Sequence, residues 1–520
     1  MRITAYGHAA LRVDIADGAA LLMDPWFSRC GAFFASWFQF PENHPLRAAA
    51  FEGVQHVAVS HNHADHWDPE TLLEALETNP SLTIHIARFA TPWFANRARR
   101  DLGRHASNLI EHAPWEPFRV DGLEVFFVPE ESPAQIDSAI FVRAPGAALV
   151  NLNDARLTTD QLRRAREVIG KPTHVMLQAS GASEYPICYK YDAAAMRERS
   201  LEKRRLKFEH AERILRQLDP DRILFFAGPP VFLDESLAAF NLRSEESVFP
   251  DQLDVLRTME QRAPDLAART YFVLPGEVLS DHLLWPATDL TERRCEPYTR
   301  KTEYVAAYQE RRSEFRRYDI GECPADAALL THFDRMAKLS PYVAAMIGGD
   351  LVFIVRGRSG SKAVTVDFRS GKARFGESAD ALYVLEAPAA SVQAVLDDTA
   401  TWDDVMLSAR MVFDERTDRF VAHFKTLLKY LDRTLLDRVE EYENSLARGA
   451  ATDAMLVRLP DGVWKVQRKC PHSGADLAVH GRTDAALGTV TCMAHRFAFD
   501  IRSGACLNAA GYRLASEKQK

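Results

Sequence analysis

Three histidines and an aspartate lie within six positions of the sequence, directly after an apolar run. His61, His63, Asp65 and His66 form an H-x-H-x-D-H pattern behind "VQHVAVS". Alternate residues of an extended chain point the same way, so His61 and His63 can share one metal ion while Asp65 and His66 face a second. Ordinary core or surface histidines do not explain four potential ligands this close together. The pattern therefore predicts a metal site in which all four residues are catalytic.

A second set of metal-binding residue types lies near the C-terminus. Cys470 and His472 stand in "KCPHSGADL", and Cys492 and His495 stand in "TCMAHRFAFD". Two thiolates and two imidazoles from paired loops fit two irons bridged by sulfide, with the cysteines on one iron and the histidines on the other. A structural zinc ion with the same four ligands is the alternative, although zinc sites usually take close pairs of one residue type.

These two loops resemble the Rieske domain family over about residues 452–512, including "FDIRSG" after the second loop. They depart from it at Arg496, where such loops often carry glycine. The resemblance implies a [2Fe-2S] cluster bound by Cys470, His472, Cys492 and His495. Neutral histidine ligands raise the potential of such a cluster, so the implied role is one-electron transfer to another centre.

The elements that must position the first site are short β-strands alternating with helices, from Met1 to about residue 290. Runs such as "LLMD", "HVAVS", "LEVFFVP" and "ALVNL" predict strands, and polar residues gather directly behind them. Asp24, Glu130, Glu131 and Asp154 occupy such positions, as the histidines do. Because α/β folds place their chemistry in loops at strand ends, we expect one composite site.

The histidine loop in this setting resembles the metallo-β-lactamase superfamily, an αββα sandwich with its metals at the strand ends. The resemblance implies that Asp24 lies behind the ligands and that Asp154 bridges two metals. The third histidine of the family is missing from "LEVFFVPEESPAQIDS". Glu130, Glu131 or Asp137 must replace it, or the position is empty; Glu131 is the expected ligand.

The last histidine of that family is also missing, since "FFAGPPVFL" contains none. His282 is a candidate replacement, and a surface position for it is the alternative. Exchanging imidazole for carboxylate makes a site harder and more anionic, which favours iron over zinc. A single iron held mainly by His61, His63 and one carboxylate is the alternative to a pair. The expected ligand set is His61, His63, Asp65, His66, Glu131 and Asp154.

Beyond about residue 300 the character of the sequence changes. "LVFIVRG", "AVTVDFRSGKARFG" and "ALYVLEA" predict an antiparallel meander, a long helical segment follows, and "ARGAATDA" is the predicted linker. The predicted domains are an α/β, metallo-β-lactamase-like αββα sandwich at 1–295, a small α+β domain ending in a long helix at 296–449, and a small all-β Rieske domain at 450–520. The middle domain also resembles, weakly, a sterol-carrier fold.

Composition limits the partners. The 520 residues are 47% hydrophobic and 26% charged, with a net charge of −8, which is typical of a soluble globular protein and excludes nucleic acid as a general partner. The N-terminus lacks a secretory signal and no apolar run is long enough to span a membrane, so the expected location is the cytoplasm. Lysines and arginines of a charged helix at 197–218 could face an anionic substrate; a solvated helix face is the alternative.

The two modules together resemble the cytidine monophosphate N-acetylneuraminic acid hydroxylases. The resemblance extends to "GASEYPICY", "FAGPP" and "TWDDVMLSARM", while the domain order differs, because that family carries its Rieske module first. It implies insertion of one oxygen atom into an organic substrate with electrons supplied through the Rieske centre.

The resulting expectation is a Rieske-linked non-haem iron monooxygenase for an N-acyl or nucleotide-sugar-like substrate. An external reductase, ferredoxin or cytochrome-type protein would donate electrons, which would cross between the centres within one chain or across a homodimer. Two alternatives stay open. One is a metal-dependent hydrolase of a phosphodiester, lactone or amide with a redox-regulatory Rieske domain, and the other is an oxygen or nitric oxide reductase without an organic substrate.

Overall fold

The computed structural model describes residues 1–15, 20–180, 183–241, 247–285, 292–312, 318–418, 420–449, 453–472, 474–493 and 496–519. His495, one of the four expected cluster ligands, lies outside the described residues, as do parts of "GASEYPICY" and "ARGAATDA".

The first domain alternates strands and helices, as its sequence predicts. Its strands are β1 (Arg2–Gly7), β2 (Ala10–Asp14), β3 (Ala20–Met23), β4 (His56–Val59), β5 (Thr83–Ala87), β6 (Leu109–His112), β7 (Phe118–Val120), β8 (Leu123–Pro129), β9 (Ser138–Ala144), β10 (Ala147–Asn151), β11 (His174–Gln178), β12 (Arg222–Phe226) and β13 (Glu277–Val278). Its helices are α1 (Arg47–Phe51), α2 (Pro69–Thr78), α3 (Trp93–Leu102), α4 (Thr159–Ile169), α5 (Ala193–Leu218), α6 (Gln252–Arg262), α7 (Pro264–Ala267), α8 (Glu292–Thr299) and α9 (Lys301–Arg311).

These strands form two sheets that pack face to face. One has the order β13-β1-β2-β3-β4-β5-β6, and the other has the order β12-β11-β10-β9-β8-β7. Met23 and Ala58 of the first sheet share a core with Leu149 and Met176 of the second. Apolar residues of α2 and α3 cover the outer face of the first sheet, and those of α4, α5 and α6 cover the second. The predicted αββα sandwich is confirmed.

The second domain is a five-stranded sheet of order β16-β15-β14-β17-β18 with helices around it. Its elements are α10 (Asp326–Lys338), α11 (Pro341–Ile347), β14 (Asp350–Gly357), β15 (Gly360–Asp367), β16 (Lys372–Phe375), β17 (Ala381–Pro388), α12 (Ala389–Leu396), α13 (Trp402–Leu407), β18 (Val412–Glu415), α14 (Ala422–Lys429) and α15 (Arg433–Gly449). β17 pairs in parallel with β14, so the predicted antiparallel meander is wrong for this strand. The chain crosses to the free edge of β14 rather than continuing beyond β16.

The boundary between these domains stays a prediction, but the packing argues against a division at residue 295. Val305 and Tyr308 of α9 are buried in the core of the first domain together with Phe38. We therefore propose that the first domain extends through Arg312.

The third domain contains two small sheets, as its all-β prediction requires. Its elements are β19 (Ala454–Leu459), β20 (Gly462–Gln467), α16 (Leu477–His480), β21 (Gly481–Asp484), β22 (Thr489–Cys492), β23 (Ala498–Asp500) and β24 (Ser516–Lys518), with sheet orders β19-β20-β24 and β21-β22-β23. Within the described ranges, no helix combines the length and apolar character needed to cross a membrane.

Candidate metal centre and cluster loops

The loop after β4 brings two imidazoles together. His61 Nε2 lies 2.9 Å from His63 Nδ1, while Ser60 Oγ lies 2.9 Å from the other ring nitrogen of His61. Asp137, which precedes β9, places Oδ1 3.9 Å from His61 Nε2. His61, His63 and Asp137 each offer a ligand atom, and these atoms all lie within 4.8 Å of one another. This group could hold one metal ion.

A second group of ligand types adjoins the first. His8 Nε2 lies 2.9 Å from Asp65 Oδ2, and His66 Nε2 lies 3.7 Å from the same oxygen. Asp154, behind β10, places Oδ1 3.9 Å from His66 Nε2 and also groups with His61. Because His61 and His66 belong to adjoining groups, the arrangement has room for one ion or for a bridged pair.

Asp24 lies behind these ligands. Its carboxylate accepts hydrogen bonds from Ser60 N at 2.7 Å and from Ser60 Oγ at 2.8 Å, and it lies 3.1 Å from His66 Nδ1. This contact leaves Nε2 of His66 directed at Asp65 and Asp154. A carboxylate on the outer nitrogen fixes the tautomer and orientation of a metal-binding histidine.

The structure does not bring two of the predicted residues to the histidines. Glu131 is exposed, and its carboxylate accepts a hydrogen bond from Thr158 Oγ1 at 3.2 Å. His282 is also exposed and contacts Ser280. In the described part of the chain, Asp137 lies beside His61 in place of Glu131, because the chain turns towards the histidines only at the start of β9. His8 lies beside Asp65 in place of His282, because the turn between β1 and β2 reaches the metal loop.

Glu130 is buried near this centre without joining a ligand group. Its carboxylate accepts a hydrogen bond from Arg156 N at 3.3 Å. Burial, followed by the neighbouring charge of Asp137, raises the pKa of Glu130 to about 7.

The middle domain adds a carboxylate to the site. Asp403 Oδ2 lies 3.1 Å from His63 Nε2, the nitrogen that faces away from His61. Asp403 is held at the start of α13, where Thr401 and Asp404 form a capping box and Trp402 donates a hydrogen bond to His332 Nε2 at 3.0 Å. Asp403 thus contacts the outer ring nitrogen of His63 in the same way as Asp24 contacts that of His66.

Two lysines of the basic helix α5 point inward, unlike a solvated face. Lys203 donates to Ser183 Oγ at 2.7 Å, and Lys207 donates to Gln178 Oε1 at 2.7 Å. Gln178 in turn donates to Asp154 Oδ1 at 2.9 Å. The helix therefore supports a candidate ligand through one intervening side chain.

The two cysteine loops of the third domain each adopt the same type of backbone turn. Cys470 N donates to Ala475 O and Cys492 N donates to Phe497 O, while a residue four positions after each cysteine donates back to the cysteine carbonyl. Both cysteines are buried and neither forms a disulfide bond. His472 lies beside the rings of Phe497 and Tyr512. The paired turns present ligand types from two sides, as a shared cluster needs.

Comparison with known families agrees with this geometry. Residues 20–226 match the family model of the beta-lactamase superfamily domain, and residues 436–514 match the Rieske [2Fe-2S] domain. The chain joins a metallo-β-lactamase-fold domain to a C-terminal Rieske domain. Its C-terminal cofactor is therefore a [2Fe-2S] cluster, and because such clusters transfer single electrons the chain is a redox protein.

Similar proteins carry related names. A protein of Mycolicibacterium smegmatis, named as a Rieske 2Fe-2S iron-sulfur protein, is 29% identical over 100% of both chains. The cytidine monophosphate-N-acetylneuraminic acid hydroxylase of Mus musculus is 23% identical over 36% of this chain and 32% of its own. The structure of CmlA, a diiron β-hydroxylase from Streptomyces venezuelae, is 17% identical, with a TM-score of 0.37 over 54% of this chain and 53% of its own.

The residues of the first centre fit a bound metal. Asp137 Oδ1 and His66 Nε2 are buried and make no hydrogen bond within the described part of the chain. Buried polar atoms are normally satisfied, so these two atoms lack the partner that a cation would supply. Imidazoles and carboxylates together are the ligand types of a non-haem transition-metal site.

Sequence reasoning missed two residues of this centre. His8 follows Gly7 between the first two strands, and Asp403 is distant in the chain from the metal loop. His8 is a lone histidine in the sequence, so no spacing to another ligand type indicated its role. "TWDDVM" was noted as a family-like segment, but only the docking of the middle domain assigns it to the site.

Proposed function

We propose that the chain is a Rieske-linked non-haem iron monooxygenase that hydroxylates a small organic substrate with dioxygen and electrons from an external donor. The observation that carries the proposal is a carboxylate-rich metal centre in the same chain as an electron-transfer cluster. Asp65, Asp137 and Asp154 accompany the histidines, and such hard, anionic ligands favour iron over zinc. A hydrolase without redox regulation would have no use for the cluster.

The chain's own residues supply orientation. We propose His61, His63 and Asp137 as ligands of one iron and His8, Asp65 and His66 as ligands of a second, with Asp154 between them. Asp24 and Asp403 hold the outer nitrogens of His66 and His63, and Gln178 holds Asp154. Iron bound there supplies dioxygen activation, and the Rieske cluster supplies single electrons.

The substrate we propose is anionic and of the N-acyl or nucleotide-sugar-like class named by the mouse relative. Lys429, at the end of α14, supports the proposal of an anionic substrate. It lies over the ring of Tyr430 and near the carboxylates of Asp403 and Asp137, but it makes no hydrogen bond or ion pair with a residue that the structure describes. Burial disfavours its charge, but Tyr430, Asp403 and Asp137 outweigh burial and raise its pKa, so the ammonium stays protonated.

Metal analysis followed by isotope labelling tests the function. We expect more than two irons per chain, and ¹⁸O from labelled dioxygen in a hydroxylated product. Zinc in the first centre, with hydrolysis that persists in the Cys470→Ser variant, would instead establish the hydrolase. Electron consumption without any labelled organic product would establish an oxygen or nitric oxide reductase.

A further inference from the structure

The second cluster loop carries an arginine where the first carries a glycine. Gly474 has φ of 67° and Arg496 has φ of 62°, and their amides donate to the carbonyls of Cys470 and Cys492 at 2.8 and 2.7 Å. The two residues are therefore equivalent in the shared turn. This left-handed region suits glycine and disfavours a residue with Cβ. An arginine there needs a compensating interaction.

The side chain of Arg496 donates a hydrogen bond to Met493 Sδ at 3.7 Å within its own loop, and it also makes a contact outside its own domain. Its guanidinium forms an ion pair with Glu202 on α5 of the metallo-β-lactamase-fold domain. Glu202 also accepts two hydrogen bonds from Arg205, each at 2.8 Å, which hold the carboxylate in place. The strained turn is thus tied to a fixed acceptor.

Other contacts join the same two domains. His480, at the end of α16, lies 2.8 Å from a guanidinium nitrogen of Arg213 on α5 and 3.3 Å from Thr159 Oγ1 at the start of α4. The first cluster loop reaches the metal domain through α15 of the middle domain. A Cβ at Gly474 would overlap the hydroxyl of Tyr442 on this helix, and the same hydroxyl lies 3.5 Å from the backbone oxygen of Glu131. Both cluster loops therefore lie on the side of their domain that faces the metal domain.

The helix that receives Arg496 also reaches the metal centre. Five positions beyond Glu202, Lys207 of α5 donates to Gln178, and Gln178 donates to Asp154. One rigid helix thus contacts the cluster loop at one point and supports a proposed iron ligand at another.

We propose that Arg496 is a positioning residue for electron transfer within the chain. Its ion pair with Glu202 docks the second cluster loop on α5, so that one electron given up by the reduced cluster is gained by the metal centre of the same chain. This role rests on the proposed function, because it requires an electron acceptor in the first domain.

The Arg496→Gly variant tests the proposal sharply, because glycine suits the turn but removes the ion pair. We expect the absorption spectrum and the midpoint potential of the cluster to stay as in the parent protein. The third domain should be at least as stable against unfolding as it is in the parent. Oxidation of the pre-reduced cluster by dioxygen should slow at least tenfold. Amide hydrogen exchange around Glu202 should quicken, which reports docking independently of turnover.

Three further variants complete the experiment. Glu202→Gln should slow oxidation of the cluster to the same degree as Arg496→Gly. The double variant should be no slower than either single variant, since each of them already removes the ion pair between Arg496 and Glu202. Arg502→Gly is the matched control, because it removes an ion pair with Asp461 inside the third domain and should leave the oxidation rate unchanged.

Two results would count against the proposal in different ways. If Arg496→Gly matches the parent in oxidation rate and in hydrogen exchange, the docking role is wrong while the proposed function stands. If the parent's cluster oxidises at a rate that does not depend on metal in the first centre, the proposed function is wrong and the role of Arg496 in electron transfer falls with it.

Discussion

His63 receives its orienting carboxylate from a residue 340 positions later in the chain. Asp403 lies on the outer nitrogen of the ring, and Nδ1 faces His61 on the inner side. Such outer carboxylates make metal-binding imidazoles more basic and fix their orientation. The metal domain alone therefore lacks part of its own metal centre.

The Asp403→Asn variant should weaken metal binding at the first centre, because asparagine keeps the shape but loses the charge that stabilises the outer N–H of His63. We expect a loss of affinity of about 10- to 100-fold. Metal content measured against cluster iron as an internal standard reports the change. Asp380→Asn, an exposed carboxylate of the same domain, should behave as the parent does. Equal affinity in both variants would contradict the assigned role.

Replacing the candidate carboxylates one at a time should identify the ligand that stands in for the missing histidine. Asp137→Ala should lose metal from the group of His61 and His63, because it removes the only carboxylate of that group. Glu131→Ala should keep its metal, since the side chain of Glu131 is exposed to solvent and accepts a hydrogen bond from Thr158. The reverse pattern of metal content would restore Glu131 as the ligand.

At the level of single residues, local spacing predicted which side chains of the metal loop would lie close together. His61, His63, Asp65 and His66 come from one loop, and their mutual contacts follow from their separation in sequence. Asp137 was one of three candidate ligands in the segment after β8. The end of a strand predicts which segment reaches the site, but not which of its side chains points towards the metal. His8 and Asp403 depend on contacts between distant segments, which spacing does not encode.

Secondary structure was predictable where local chemistry decides it. The side chain of Asp68 caps α2, and Thr158 with Gln161 caps α4, as the sequence indicates. The sequence did not distinguish the two edges of β14 on which β17 could pair.

Strands β4, β5 and β6 carry a row of histidines that links folding stability to pH. His56 Nδ1 lies 3.0 Å from His85 Nε2, and His85 Nδ1 lies 2.8 Å from His112 Nε2. Burial, followed by the neighbouring imidazoles, lowers the pKa of His85 to about 3, and burial lowers that of His112 to about 4. Both values lie below that of the unfolded chain, about 6.5.

These histidines therefore bind protons more readily in the unfolded state than in the folded state. Their neutral packing stabilises the fold above pH 6.5, and this contribution to the free energy of unfolding is lost as the pH falls below 6.5. For His85 alone the loss at pH 5 is on the order of 2 kcal/mol. The His85→Gln variant should show a shallower fall of urea-unfolding free energy between pH 7.5 and 5 than the parent. His282→Gln, at an exposed position, should keep the parent's slope. A parent-like slope in His85→Gln would contradict this assignment.

At the scale of the whole molecule, the middle domain and the Rieske domain both pack on the metal domain. The middle domain contributes Asp403, and the Rieske domain contacts α5 through Arg496 and His480. The segment at 188–190 pairs with Phe413, so the first domain also extends the sheet of the second. Composition and motifs predicted the modules and their order, but not these contacts, because each joins residues from separately recognisable parts.

Oxidation of the pre-reduced cluster in the His63→Ala variant tests the coupling of the two centres most directly. The parent protein and the variant are reduced under anaerobic conditions, mixed with dioxygen, and followed by the electron paramagnetic resonance signal of the reduced cluster. We expect the signal to disappear quickly in the parent and to persist in the variant, which lacks an imidazole of the metal centre but has an intact cluster. Equally fast loss of the signal in both proteins would show that the cluster does not serve that centre.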